Sequence, residues 1–466
     1  MKTVLSGDIT IFDPTEEVAS WVEDNLTLTN PVYSNLIKRG QQDTIARRHV
    51  QQHIKCFQRR NGALIVPFGC LRAIWPMLKD CEWSKDFAPN APTRFGTMPC
   101  AVNLYDYQKK AVEALIEAKG GILKSGCGSG KTYIGIEVLR RLGLRFLWLC
   151  GKSDLLNQTM KNIKSLYPEA DVGTITEGEV NMGSDGTIST VQTMVNVDYR
   201  LYENEFNVVV VDECHTVTNN PTTRQMYAKV LGRCKARYKY GLSATPKRQD
   251  GLTKLIYANI GVSKTGAFRP TYQIKDSETQ SLQAEYVRLD MPTKRSFSYL
   301  TEDGSIDHPK LMAYLADNTE RNNAIVAKIK EYVEKENRKV AVLTQRVDHS
   351  ELLAGMLRCK GVKAESVTGK TKKKDRNEAL ENPDSWDVIV STTQLFKEGL
   401  DIKALDTVFV ALPFKDENAI QQSEGRAERP LEGKNDPLFV FVCDPEIEFS
   451  VQSEKRMRRI LTRKRK

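Results

Sequence analysis

The chain has 466 residues, 40% hydrophobic and 8% aromatic, enough for about three domains with ample core, and a net charge of +10. No apolar run approaches 18 residues, which excludes a membrane-spanning helix, and the opening MKTVLSGDITIFD lacks a basic-then-apolar secretory pattern. Ten cysteines without a CxxC pair argue against a zinc knuckle and for reduced thiols in a cytoplasmic setting.

Residues 1–102 read as a small α+β accessory domain. They hold three of the five tryptophans (Trp21, Trp75, Trp83) and a basic stretch, IARRHVQQHIKCFQRR (45–60), expected to be helical. Its Arg47, Arg48, Lys55, Arg59 and Arg60 are either a solvated face or part of a nucleic-acid-recognising module.

Over residues 103–268 short apolar strands alternate with amphipathic helices, the mark of a doubly wound parallel sheet. Within them, SGCGSGKT (125–132) stands between an apolar run and a helix. Gly126, Gly128 and Gly130 free the backbone to wrap phosphates, together with Ser125, Cys127 and Ser129. Lys131 supplies charge to the β/γ-phosphates and Thr132 a hydroxyl to Mg²⁺. A strict pattern has glycine where Ser125 stands, and serine is a small variant.

RFLWLC (145–150) and TIST (187–190) are the next strands, followed by VVVVDECH (208–215). Four consecutive valines predict a strand buried on both faces, with an acidic pair at its carboxyl end, where such sheets bind ligands. Asp212 is expected to hold Mg²⁺, and Glu213 to orient and deprotonate a water. Cys127 and Cys214 read most simply as small packing residues.

Residues 269–283 form a polar linker, and the α/β alternation resumes over 284–451 with KVAVLTQ, DVIVST, TVFVAL and PLFVFVCD. This second unit lacks a phosphate loop, so a cleft holding nucleotide between two similar lobes is expected. In STTQLFKEGLDI (391–402), Gly399 and Asp401 make a tight loop able to sense the nucleotide. QQSEGRAER (421–429) presents Gln422, Arg426 and Arg429, two guanidiniums on one helix face suited to charge on a departing phosphate. The tail 452–466 contains KRMRRILTRKRK, with eight of the basic side chains and no acidic one, and is expected to be a solvated end able to grip phosphates.

Taken in order, these segments resemble superfamily 2 helicases and translocases over roughly residues 103–445. LYDYQKKAV is similar to the segment whose glutamine, here Gln108, contacts adenine; SGCGSGKT resembles motif I, DECH motif II, GLSATP (241–246) motif III, TTQLFKEGLD motif V and QQSEGRAER motif VI. GKSDLLNQ (151–158) and TVQTM (190–194) stand where the DNA-gripping motifs fall, which implies DNA contacts for Lys152, Gln192 and Thr193. His215, Ser243 and Thr245 are implied as couplers of hydrolysis to that grip. GLSATPKRQDGL with DECH and EGLDI is most similar to the XPB-like group, which includes phage branch-migrating helicases of the UvsW type. The resemblance implies two tandem RecA-like lobes, ATP and Mg²⁺ as cofactors, and forked, branched or duplex DNA as partner. It also implies a small N-terminal DNA-recognition domain and other replication or recombination proteins as possible company. An RNA-directed helicase, or a remodelling factor that does not unwind, are the competing readings.

Overall fold

The computed structural model describes residues 1–126, 128–216, 221–248, 250–275, 285–371, 382–399, 402, 404–414, 416, 419–420, 423, 426–428 and 433–463. The chain divides into two compact units, Met1–Ser125 with Gly130–Lys275, and Gly126–Ser129 with Asp276–Lys466.

The first unit opens on a five-stranded sheet in the order Gln58–Arg60, Ala63–Pro67, Asp8–Phe12, Lys2–Leu5, Glu82–Lys85. Alternation in DITIF turns Ile9 and Ile11 into the core and leaves Thr10 half-buried. Thr15 caps the helix Glu16–Leu26 by accepting from the Val18 amide, and Glu16 and Glu17 occupy the first turn, where the helix dipole favours negative charge. The i, i+4, i+8 stripe Val18, Val22, Leu26 then packs with Ile9, Leu64 and Ile74.

The basic stretch 45–60, expected as one helix, is helical only to Arg47. His49 takes a left-handed φ of 48°, and the chain continues as two short strands, His53–Lys55 and Gln58–Arg60. The second returns through Asn61 and Gly62, at φ 47° and 79°, to pair Arg60 with Ala63. Asn-Gly between two strands is the two-residue hairpin signal, and it overrides the helical spacing of the basic residues.

This N-terminal sheet is fused to the lobe that follows it. Gly7 lies so close to the backbone of Gly232 that a Cβ there would sit 2.1 Å from the Gly232 carbonyl oxygen. Lys239, buried on the strand Tyr238–Ser243, donates to the carbonyls of Gly7 at 2.5 Å and Leu231 at 2.8 Å. The Asn207 amide donates to the Ala88 and Pro89 carbonyls and accepts from the Ala91 amide.

The lobe itself is an eight-stranded sheet, ordered Glu179–Val180, Val172–Thr176, Gly186–Thr190, Phe146–Cys150, Val208–Val211, Tyr238–Ser243, Gly121–Lys124, Tyr272–Gln273. All neighbours are parallel except the first pair. Val208 and Val210 face one core, with Trp148, Leu242, Ile134 and Leu115; Val209 and Val211 face the other, with Leu149, Tyr227 and Ile256. Burial on both faces explains why this strand is uniformly apolar.

Tyr272–Gln273 corrects the expected linker, which starts too early at residue 269. Thr271 accepts from the Ile122 amide through its hydroxyl, and buried Ile274 donates its amide to the Lys124 carbonyl, so this polar stretch closes the sheet edge.

The second unit carries a six-stranded, wholly parallel sheet in the order Glu285–Asp290, Leu438–Cys443, Thr407–Val410, Val340–Thr344, Val388–Thr392, Ala364–Val367. A polar knot lies in its core: Arg321 pairs with Asp444 at 2.9 Å, and His349 bridges Asn322 and Thr344 through its two ring nitrogens. The tail is not a loose end as far as Arg463. Glu448–Arg463 is a helix whose Phe449, Met457 and Ile460 are buried, while Ser453 exchanges hydrogen bonds with the backbone of Phe414. Apolar residues at helical spacing outweigh the basic composition around them.

Candidate nucleotide site

The candidate residues of the first unit gather at the carboxyl edge of its sheet, the expected ligand edge of a doubly wound fold. The strand Gly121–Lys124 runs into the glycine-rich loop, and Lys131 begins the helix Lys131–Leu142. Gly130 caps that helix at φ 78°, and a Cβ on it would meet the Gln108 Nε2 at 2.3 Å. Only glycine suits that place. The Ser129 hydroxyl returns to the Gly126 carbonyl at 2.7 Å, and the Ser125 amide donates to the Ser243 carbonyl at 3.1 Å. The loop is therefore hydrogen-bonded to itself and to the neighbouring strand.

The acidic pair ends the all-valine strand, which is separated in the sheet by the strand Tyr238–Ser243 from the one that leads into that loop. The Asp212 amide donates to the Leu149 carbonyl, and an Asp212 oxygen accepts from the Glu213 amide at 2.9 Å. Glu213 has a left-handed φ of 44°, a conformation costing a side-chain-bearing residue roughly 1–2 kcal/mol. Thr216 holds it there, since its amide and its hydroxyl both donate to the Glu213 carbonyl, at 2.8 and 2.9 Å. Sequence reading missed Thr216; its only signal was its place one turn beyond the acidic pair.

Lys131 Nζ stands 3.9 Å from a Glu213 carboxylate oxygen and donates to the Ser125 carbonyl at 3.4 Å. His215 Nδ1 lies 3.1 Å from the other Glu213 oxygen and 2.9 Å from the Ser243 hydroxyl, which in turn accepts from the Thr245 amide. Burial pushes the Asp212 carboxyl up to about 7, with the Glu213 charge adding to the shift and Lys131 opposing it. A buried carboxylate with so little compensating charge fits a divalent cation, and Thr132, the second residue of the helix that follows the loop, carries a second hard oxygen.

Gln108 is buried at the third position of the helix Asp106–Ala118, where its Oε1 accepts from the Tyr105 amide and its Nε2 lies against Gly130. The structure thus ties it to both the helix start and the phosphate loop. Lys152 precedes the helix Ser153–Leu166 and is exposed; Gln192, also exposed, donates to the Gly151 carbonyl at 3.1 Å. Thr193 sits in a short turn capped by Thr190. Lys152, Gln192 and Thr193 therefore share one edge, beyond adjacent parallel strands.

In the second unit, Gly399 closes the helix Thr393–Gly399. The buried Arg426 guanidinium lies over the Phe396 ring, 4.8 Å from its centroid, and donates to the Phe396 carbonyl. Cys127, Asp401, Gln422 and Arg429 lie outside the described residues.

Residues 101–248 match the family model of the type III restriction enzyme res subunit, and residues 323–430 that of the helicase conserved C-terminal domain. The two domains, in this order and on these sheets, make the chain a member of the superfamily 2 helicases. Its relatives include XPB-like and viral helicases. A protein of Sulfurisphaera tokodaii named a DNA 3'-5' translocase is 25% identical, over 70% of this chain and 77% of that one. An Acanthamoeba polyphaga mimivirus protein that bears the name of an ATP-dependent RNA helicase is 25% identical over 74% of this chain; the chain spans 64% of that relative, just under two thirds. The helicase domain of Pyrococcus furiosus Hef shares the fold, with a TM-score of 0.50 at 16% identity, over 75% of this chain and 97% of that domain. Among the described residues, no helix is long and apolar enough to cross a membrane.

Proposed function

We propose that this chain is an ATP-driven DNA helicase or translocase that unwinds or branch-migrates forked and junction DNA in replication, recombination or repair. The supporting observation is the convergence of Lys131, Asp212, Glu213, His215 and Ser243 on one sheet edge. In this reading Lys131 and the loop amides from Ser125 to Thr132 hold the phosphates. Thr132 and Asp212 hold Mg²⁺, which when bound neutralises phosphate charge. Glu213 orients a water and takes its proton as that water attacks the γ-phosphate. His215 touches both Glu213 and Ser243, so a change at the acidic pair reaches Thr245. Lys152, Gln192 and Thr193 face the nucleic acid. Arg426, which donates to the Phe396 carbonyl, and Arg429 neutralise charge on the departing phosphate in this reading. The setting proposed is a cytoplasm.

The test is ATP hydrolysis with Mg²⁺ and duplex DNA, single-stranded DNA or RNA, followed by strand displacement on fork, flap, three-way and four-way junctions. Stimulation by DNA and displacement of junction strands support the proposal. The name of the mimivirus relative favours RNA as the second reading, and stimulation by RNA alone would move the assignment there. Stimulated hydrolysis without displacement would point to a remodelling factor.

A further inference from the structure

The other exposed large apolar side chains among the described residues are 39–51% exposed, whereas Phe297 of the second unit is 85% exposed. Its backbone is fixed in place. The Ser298 amide donates to the Ser296 hydroxyl at 3.1 Å, and the two serine hydroxyls lie 2.8 Å apart. The Leu300 amide donates to the Phe297 carbonyl, the Tyr314 hydroxyl to the Lys294 carbonyl, and the Arg295 amide to the Glu446 carboxylate. Two residues on, Tyr299 is buried against Tyr314 with ring centroids 5.4 Å apart. An anchored tyrosine and a pinned turn thus hold a phenyl ring out in water.

The charge around the ring is mixed but ordered. Lys294 and Arg295 precede it and are exposed. Acidic side chains stand nearby as well: Asp303 accepts from Ser305, Asp307 pairs with Lys310 at 3.7 Å, Glu446 accepts from the Arg295 amide, and Asp317 lines the hollow beside the turn. Beside the turn, Ser298, Lys310, Ala313, Tyr314, Asp317 and Asn318 line an open hollow of about 400 Å³.

A flat apolar ring, two basic side chains next to it and an open hollow of mixed lining match the parts of a single strand: a base, its phosphates and the next nucleotide. We propose that Phe297 is a stacking platform for an unpaired base of the strand on which the protein moves, with Lys294 and Arg295 on the flanking phosphates. The proposal rests on the nucleic-acid-motor reading given above. Stacking is blind to sequence, as a motor requires, because every base offers a π-face.

The test uses the full chain, an oligo(dT) strand for affinity, and a strand carrying 2-aminopurine as a stacking probe. Phe297→Ala should weaken single-strand binding by about 5- to 150-fold and abolish the quenching of 2-aminopurine. Phe297→Trp should restore both, and hydrolysis without polynucleotide should be unchanged in either variant. Wild-type affinity and quenching in Phe297→Ala, with DNA-stimulated hydrolysis intact, would overturn the platform and leave the motor reading standing. A change confined to self-association or protein capture would also overturn it, by making the ring a protein contact. Failure of every polynucleotide to stimulate the wild-type chain would overturn both readings together.

Discussion

Glu213 concentrates the chemistry of the first unit in one strained residue. Its left-handed backbone turns the carboxylate toward Lys131 and His215, and Thr216 holds it there. Replacing its acid by an isosteric amide keeps the shape and removes the proposed base. Glu213→Gln should therefore retain nucleotide binding and lose roughly 10²- to 10⁴-fold in turnover, read by steady-state hydrolysis beside a nucleotide-binding titration. His349, in the second unit, is a titratable group of another kind. Burial, reinforced by the Arg321 charge, pushes its pKa down to about 3 from an ordinary 6.5. The folded state refuses a proton that the unfolded chain accepts, so stability is complete above pH 6.5 and falls as the pH drops toward 3. About 2 kcal/mol should be lost by pH 5 through this residue. Urea unfolding at pH 7 and pH 5 checks it, and His349→Gln should lose correspondingly less than wild type.

At the scale of elements, the helix that starts at Lys131 approaches its sheet through Gly135. A Cβ there would lie 2.7 Å from the Trp148 ring and 2.9 Å from Leu242 Cδ1. Gly135→Val should cost about 1–3 kcal/mol in thermal or urea unfolding and weaken ATP binding, because the displaced helix carries Lys131 and Thr132 in its first turn. Among the elements, those with a strong periodic or compositional signature were legible in the sequence. The valine strand announced burial on both faces, and the glycine-rich loop announced its helix. Three features were not. The Asn61-Gly62 hairpin is masked in the sequence by basic residues at helical spacing. The Tyr272–Gln273 strand is too short and polar to stand out. The apolar stripe of Glu448–Arg463 is diluted by the basic side chains between its members. In the candidate site, Lys131, Asp212 and Glu213 follow from spacing, but the packing of Gln108 on Gly130 and the grip of Thr216 on Glu213 are tertiary facts that no motif encodes.

For the whole molecule, the N-terminal sheet and the first lobe are a single folding problem. Lys239 is the clearest seam between them, and burial depresses its pKa to about 8, partly offset by the Asp8 carboxylate. Its removal leaves the Gly7 and Leu231 carbonyls without their donor and Asp8 without its cation. Lys239→Ala should destabilise the first unit by about 3–5 kcal/mol in chemical unfolding, with both parts melting in one transition rather than two.

That seam bears on how force could pass through a motor of this build. A floppy appendage absorbs a power stroke in its tether, whereas a part bolted to the lobe through Gly7, Lys239 and Asn207 has no slack to take up. Under the proposed function, anything bound by the first hundred residues would move together with that lobe, like cargo on a rigid handle. Cutting the handle off would also strip the lobe of part of its own hydrophobic wall.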